Sequence, residues 1–206
     1  VMTQPLINAD ASNSLGRANP QPLMIEVMKM ADFVVDVSTG GMLYSSDHEA
    51  ILATGTRILR VREPEDILLR LMPSELVRDR ANRGVERYKS ARTIRLTSAD
   101  GTDLVMSKGD RPASNQYGMA DAIGRWDHWG TGLVCTTVEE EAVEGVLVLS
   151  PGDILFPFER YVTEPLKIHF EKGLAHRLEG GREAVMLRTM LDDRGDEGAR
   201  RLSHVG

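Results

Sequence analysis

Read for the spacing of its apolar positions, the chain changes character near residue 90. Before that point helical and extended patterns alternate. PLMIEVMKMA carries the mixed apolar spacing of a short helix, and ADFVVDVSTG reads as a buried strand leaving into a glycine-containing turn. In YSSDHEAILATG, Ser45 or Ser46 is suited to capping a helix that carries Ile51 and Leu52 and stops at Gly55, and TRILRVR supplies the next strand. The charged stretch PEDILLRLMPSELVRDRANRGVERYKSA is helical in pattern. It breaks at Pro73, which lacks the N–H that a helix interior needs, and Ser74 and Glu75 are placed to restart it. This stretch is expected to cross between domains.

From Arg92 onward, RTIRLTSADGTDLVMSKG alternates apolar and polar residues on both sides of Asp100-Gly101, as a β-hairpin does. GLVCTTVE, EGVLVLSPGDILFP, PLKIHFEKGLAHRLEGG and EAVMLRTM add strand or hairpin candidates separated by glycine, proline and charge. The pattern predicts an α/β domain with crossover helices over residues 1–90 and a β-rich, mixed α+β domain over 91–206. There is no repeat period and no low-complexity block, which argues against a solenoid or a linker.

Composition narrows the function classes. With 206 residues and 41% hydrophobic side chains, the chain has the material for one sizeable core or two small ones. Its 25 Lys and Arg against 31 Asp and Glu give a net charge of -6, and no basic stripe supplies a phosphate-binding field, so nucleic acid is not an expected partner. The single Cys135 cannot form an internal disulfide or a thiolate zinc cluster, which fits a reducing compartment. Apolar runs fall short of the roughly 18 residues a membrane span requires, and no basic leader precedes one; the expected location is the cytoplasm. The chain opens on Val1 and closes on RRLSHVG, which resembles the middle of an element, so the length reads as that of a fragment.

Candidate chemistry is sparse. STGGMLYSS lacks the spaced glycines and terminal Lys-Ser or Lys-Thr of a phosphate loop, and neither GxSxG nor HExxH occurs. Cys135, within an apolar strand, reads as core filler. His48, His128, His169, His176 and His204 form no sequence-local ligand motif. His48 suits a surface or capping role in a helix's first turn, and His169 and His176 read as structural. His128 in RWDHWG is more suggestive: Trp126 and Trp129 flank an imidazole able to move protons near neutral pH, although an ordered aromatic loop would look the same. Glu159 in FPFERYVTEP follows a strand, where a carboxylate can orient a substrate, act as a base or bind metal, or simply make a surface ion pair.

The segments GTDLVMS, SPGDILFPFERYVTEP and RRLSHVG resemble the family that joins thermophilic-type metal-dependent leucyl aminopeptidases to the non-haem iron 2,5-dihydroxypyridine 5,6-dioxygenases. The peptidase pattern has a metal-binding Glu where Glu159 stands here, and a second Glu where this chain has His204. That His favours the iron branch. The resemblance implies that His204 joins a later Ser and a later His-x-Asp pair, beyond Gly206, around Fe(II), so that the β-rich catalytic domain is incomplete in this chain. It further implies O2-dependent opening of the 5,6 bond of 2,5-dihydroxypyridine to N-formylmaleamate, in nicotinate-type pyridine degradation by a homo-oligomeric protein. His128 is then the expected acid/base or substrate-positioning group, with Trp126 or Trp129 as a pocket wall and Glu159 steering substrate. The alternative within the resemblance is a metal aminopeptidase releasing N-terminal amino acids.

Overall fold

The structure, a computed structural model, describes residues 22–38, 42–43, 45–130, 132–158 and 160–206. The chain divides into two compact units, one from Val1–Arg83 and Asn115–Leu133, the other from Gly84–Ser114 and Val134–Gly206.

In the first unit the elements are α1 (Pro22–Lys29), β1 (Phe33–Asp36), α2 (Ser46–Ala53), β2 (Arg57–Arg60) and α3 (Glu65–Arg70). Helix α4 (Glu75–Ser90) begins here and ends in the second unit. Ser45 caps α2 by accepting the His48 backbone N–H at 3.1 Å, satisfying one of the donors a helix start leaves open. Gly55, at φ +95°, ends it in a conformation that favours glycine. Ser74 accepts from Val77 N–H at the restart of α4, beyond the break at Pro73. Strands β1 and β2 run parallel, Val34 opposite Ile58 and Asp36 opposite Arg60.

The second unit opens with the hairpin of β3 (Thr93–Thr97) and β4 (Asp103–Ser107), in antiparallel register across Asp100-Gly101. β5 (Ala113–Gln116) carries the chain back into the first unit, to which β6 (Trp126–His128) belongs; β7 (Leu133–Thr137) returns to the second unit, which continues with β8 (Val143–Leu149), β9 (Ile154–Leu155), β10 (Arg160–Tyr161), β11 (Leu166–Glu171) and β12 (Leu174–Glu179). The chain closes with α5 (Arg182–Asp193) and β13 (His204–Val205). Five strands make an antiparallel sheet in the order β12-β11-β8-β4-β3, and β13-β7-β5 form another. Leu104, Met106, Val143, Leu166, Phe170 and Leu178 build its core, with Ala184, Leu187 and Leu191 of α5 packed on it.

Three expectations change. EAVMLRTM is helix α5: Ala184, Leu187 and Leu191 share one helical face toward the sheet, a 3.6-residue period that outweighs the local β-propensity. ADFVVDVSTG does form a strand, but Phe33 and Val35 are exposed and only the alternate face packs inward. The fold class is also corrected. An α/β N-terminal domain followed by an incomplete β-rich catalytic domain is not what forms, because β6 returns to pair in parallel with β2, Ile58 opposite Trp126, after the β3–β4 hairpin has been made. Sequence order and spatial order therefore differ, and the chain runs continuously through a mixed α/β fold. Among the described residues no helix is long and apolar enough to cross a membrane.

Candidate functional site

The sheet order β1-β2-β6 brings three ionisable side chains into one row at the carboxyl ends of parallel strands: Asp36, Arg60 and His128, each opposite the next. Residues in one row project to the same face. Two residues earlier on each strand stand Val34, Ile58 and Trp126, which pack with Ile25 and Ile51 of α1 and α2. Hydrophobic burial thus fixes the register, and the register delivers the polar row to the edge where open α/β sheets bind ligands.

Arg60 is only 7% exposed. Its burial pushes the guanidinium down from its ordinary value, with the Asp36 carboxylate opposing that change. His48, in the first turn of α2, is buried rather than on the surface, with its ring edge-on to Trp126 at 5.6 Å. Burial lowers its pKa, while Asp36 and Glu49 pull it up and Arg60 pulls it down. His128 is half-buried; burial first, and then the Arg60 charge, lower its pKa, while Glu63 raises it. Both imidazoles are held toward the neutral form, the state in which a ring nitrogen can accept a proton. The Nε2 of His128 is buried with no hydrogen-bond partner among the described residues, and Glu63 Oε1 stands 3.9 Å away, within ion-pair reach but too far for a hydrogen bond.

Asp127 ties the strand that carries His128 to the loop at Tyr117–Gly118. Its fully buried carboxylate accepts backbone N–H groups from Tyr117, Gly118 and His128, the last at 2.8 Å, and takes the Arg125 guanidinium at 2.6 Å. Arg125 in turn lies over the Tyr117 ring at 3.9 Å from its centre. Trp126 points into the apolar core of the unit, and Trp129 donates its indole N–H to Leu68 O at 3.3 Å.

His204 lies in the second unit, exposed on β13 opposite Thr137 of β7. It stands at the end of a groove of about 260 Å³ whose walls include Phe170, Leu178, Leu187, Leu191 and Leu202. Among the described residues no three His, Cys, Asp or Glu side chains come together as a metal site. Arg200 and Arg201 also line that groove, Arg200 paired with Asp192 and Arg201 donating to Glu140 O. Glu159 lies outside the described residues. His169 is engaged by Arg177 and by Glu179 at 3.3 Å, His176 touches its ring edge-on at 6.2 Å, and half-buried Cys135 meets Ser114 Oγ at 3.2 Å.

Comparison with known proteins adds what this geometry leaves open. The sequence model of the NicX family, 2,5-dihydroxypyridine 5,6-dioxygenase, matches residues 3–206. The chain belongs to this family. A 2,5-dihydroxypyridine 5,6-dioxygenase from Pseudomonas putida KT2440 is 40% identical over 179 residues, which is 87% of this chain and 51% of that protein. The solved structure of 2,5-dihydroxypyridine dioxygenase from the same organism superposes with a TM-score of 0.82 at 38% identity, covering 88% of this chain and 52% of that one. That superposition runs through the chain as one continuous mixed α/β fold, which is the second ground for correcting the sequential two-domain expectation. Wild-type AmpT from Thermus thermophilus shares the fold, with a TM-score of 0.52 at 19% identity over 89% of this chain. The chain spans about half the length of the NicX-family proteins it matches.

Sequence reasoning singled out His128 and His204 but missed Arg60, Glu63 and Asp127. One signal for Arg60 was present: in TRILRVR, Ile58 and Arg60 share strand parity, so a buried Ile58 implies a buried guanidinium two residues on. The burial of Asp127 had no comparable signal: Arg125 and the His128 N–H are sequence neighbours, but the Tyr117 and Gly118 N–H groups that complete its shell are brought in by a loop.

Proposed function

We propose that this chain forms part of an enzyme that opens the 5,6 bond of 2,5-dihydroxypyridine with O2, both oxygen atoms entering N-formylmaleamate, in the breakdown of nicotinate-type pyridines. The observation that carries the reading is the family match over residues 3–206, supported by 40% identity to the Pseudomonas putida dioxygenase.

Fe(II) is the metal that suits the reaction, since it activates O2 by electron transfer, which zinc cannot do. His204 is the residue of this chain assigned to hold it, with the remaining ligands supplied from elsewhere in the full-length protein. His128 serves as acid/base or substrate-positioning group: its imidazole is half-buried, kept toward the neutral form, and set at the carboxyl edge of a parallel sheet. Glu159 steers the substrate or supports a ligand. The working protein is a cytoplasmic homo-oligomer.

The test uses the full-length protein loaded with Fe(II) under anaerobic conditions and then mixed with O2. Oxygen uptake should accompany loss of the dihydroxypyridine absorbance, and His204→Ala should remove nearly all of both. Normal ring opening by that variant would refute the ligand assignment, and release of N-terminal amino acids from peptides without ring opening would refute the reaction itself.

A further inference from the structure

Resting on the reading of His128 as acid/base group, we infer that Glu63 is its positioning residue, taking the Nε2–H of the imidazole so that Nδ1 faces the substrate as the base. Glu63 Oε1 is 3.9 Å from Nε2, and that nitrogen is buried with no hydrogen-bond partner among the described residues. A buried polar nitrogen left unpaired is costly, so an acceptor this close is its natural partner. The Glu63 side chain is 40% exposed and has room to close the remaining gap, as catalytic hydrogen bonds often do only when substrate is bound. The His128 side chain is itself 26% exposed, and Nε2 is buried, so the exposure falls on other atoms of the side chain, and Nδ1 is the ring nitrogen not among the buried, unpartnered atoms.

The surrounding charges give the carboxylate a task. Arg60 and Arg62 lower the affinity of His128 for a proton, and Glu63 and Asp127 raise it. A neutral imidazole beside two arginines is available as a base but resists becoming a cation. When a ring hydroxyl gives up its proton, the O–H bond breaks, Nδ1–H forms, and the electron pair stays on the ring oxygen. The new imidazolium then donates through Nε2 to the Glu63 carboxylate, which offsets the positive charge; in the neutral ring, before the proton moves, the same contact fixes the tautomer in which Nδ1 is bare.

The test is histidine ¹⁵N NMR on the full-length protein, with the His128 resonance assigned by His128→Gln, combined with the pH profile of kcat/KM. In the wild type, the neutral ring should carry its proton on Nε2. Glu63→Gln, which keeps an acceptor but removes the charge, should lower the His128 titration midpoint and move the acid limb of kcat/KM to lower pH in parallel. Glu63→Ala should also lose the tautomer preference and about 10- to 100-fold in kcat, with Glu63→Asp recovering part of it. If the glutamine and alanine variants keep the wild-type tautomer, midpoint and kcat while His128→Ala is inactive, Glu63 has no positioning role and the His128 reading stands. If His128→Ala turns over like the wild type, both are refuted.

Discussion

Arg125 holds Asp127 through two guanidinium N–H groups, Nη2 at 2.6 Å and Nε at 3.2 Å, both on one oxygen of a carboxylate that no solvent reaches. The same carboxylate takes the backbone N–H of His128, so the loop from Tyr117 and the strand that ends at His128 share one anchor.

Removing that carboxylate should be severe. Asp127→Ala leaves three backbone N–H groups without their acceptor and takes from the Arg125 guanidinium its nearest carboxylate, while Met119 O and Asn115 O remain to it, and we expect a loss of about 3–5 kcal/mol in urea unfolding of the full-length protein. A loss under about 1 kcal/mol would mean that water replaces the carboxylate and the anchor is dispensable.

Stability should also depend on pH through His48. The unfolded imidazole titrates near its ordinary value of 6.5, whereas burial lowers the native value. The unfolded state therefore binds the proton first, so this contribution is intact above pH 6.5 and is lost as the pH falls through the lower native value. Denaturation midpoints measured as pH is lowered should fall for the wild type and fall less for His48→Gln. Parallel curves would assign the acid sensitivity to other groups.

Gly145 sits at φ +116° in the middle of the five-stranded sheet, opposite Leu104 on one side and Phe170 on the other. A Cβ there would collide with the Asp103 carbonyl oxygen, which is backbone and cannot swing aside. Gly145→Ala should cost at least about 1–3 kcal/mol, read as a lowered Tm. A variant that melts with the wild type would show that β4 and β8 can part locally without loss.

What the sequence made legible was local. The β3–β4 hairpin carries its own turn at Asp100-Gly101 and its own period of two, and Ser45 announces α2 within four residues of its first buried side chain. The segment around Arg182–Asp193 misled because two glycines precede it and its densest apolar stretch, Ala184 to Leu187, is continuous; only Leu191 completes the helical face. β6 was invisible for a different reason. It is three residues long and pairs in parallel with a strand far away in sequence, and no local pattern encodes that partner. The candidate site follows the same division: His128 stood out between two tryptophans, whereas Arg60 and Glu63 gain meaning only once β2 and β6 lie side by side.

The late arrival of β6 also sets an order of events during synthesis. β1 and β2 are synthesised together with α1 and α2, but Ile58 must wait for Trp126, a delay on the order of several seconds at about 5–20 residues per second. During that interval the open edge of β2 has no strand beside it, while the β3–β4 hairpin, whose contacts are local, can already form. The nascent chain thus finishes its second-written hairpin before its first-written sheet, and the row that holds His128 is closed by the later event.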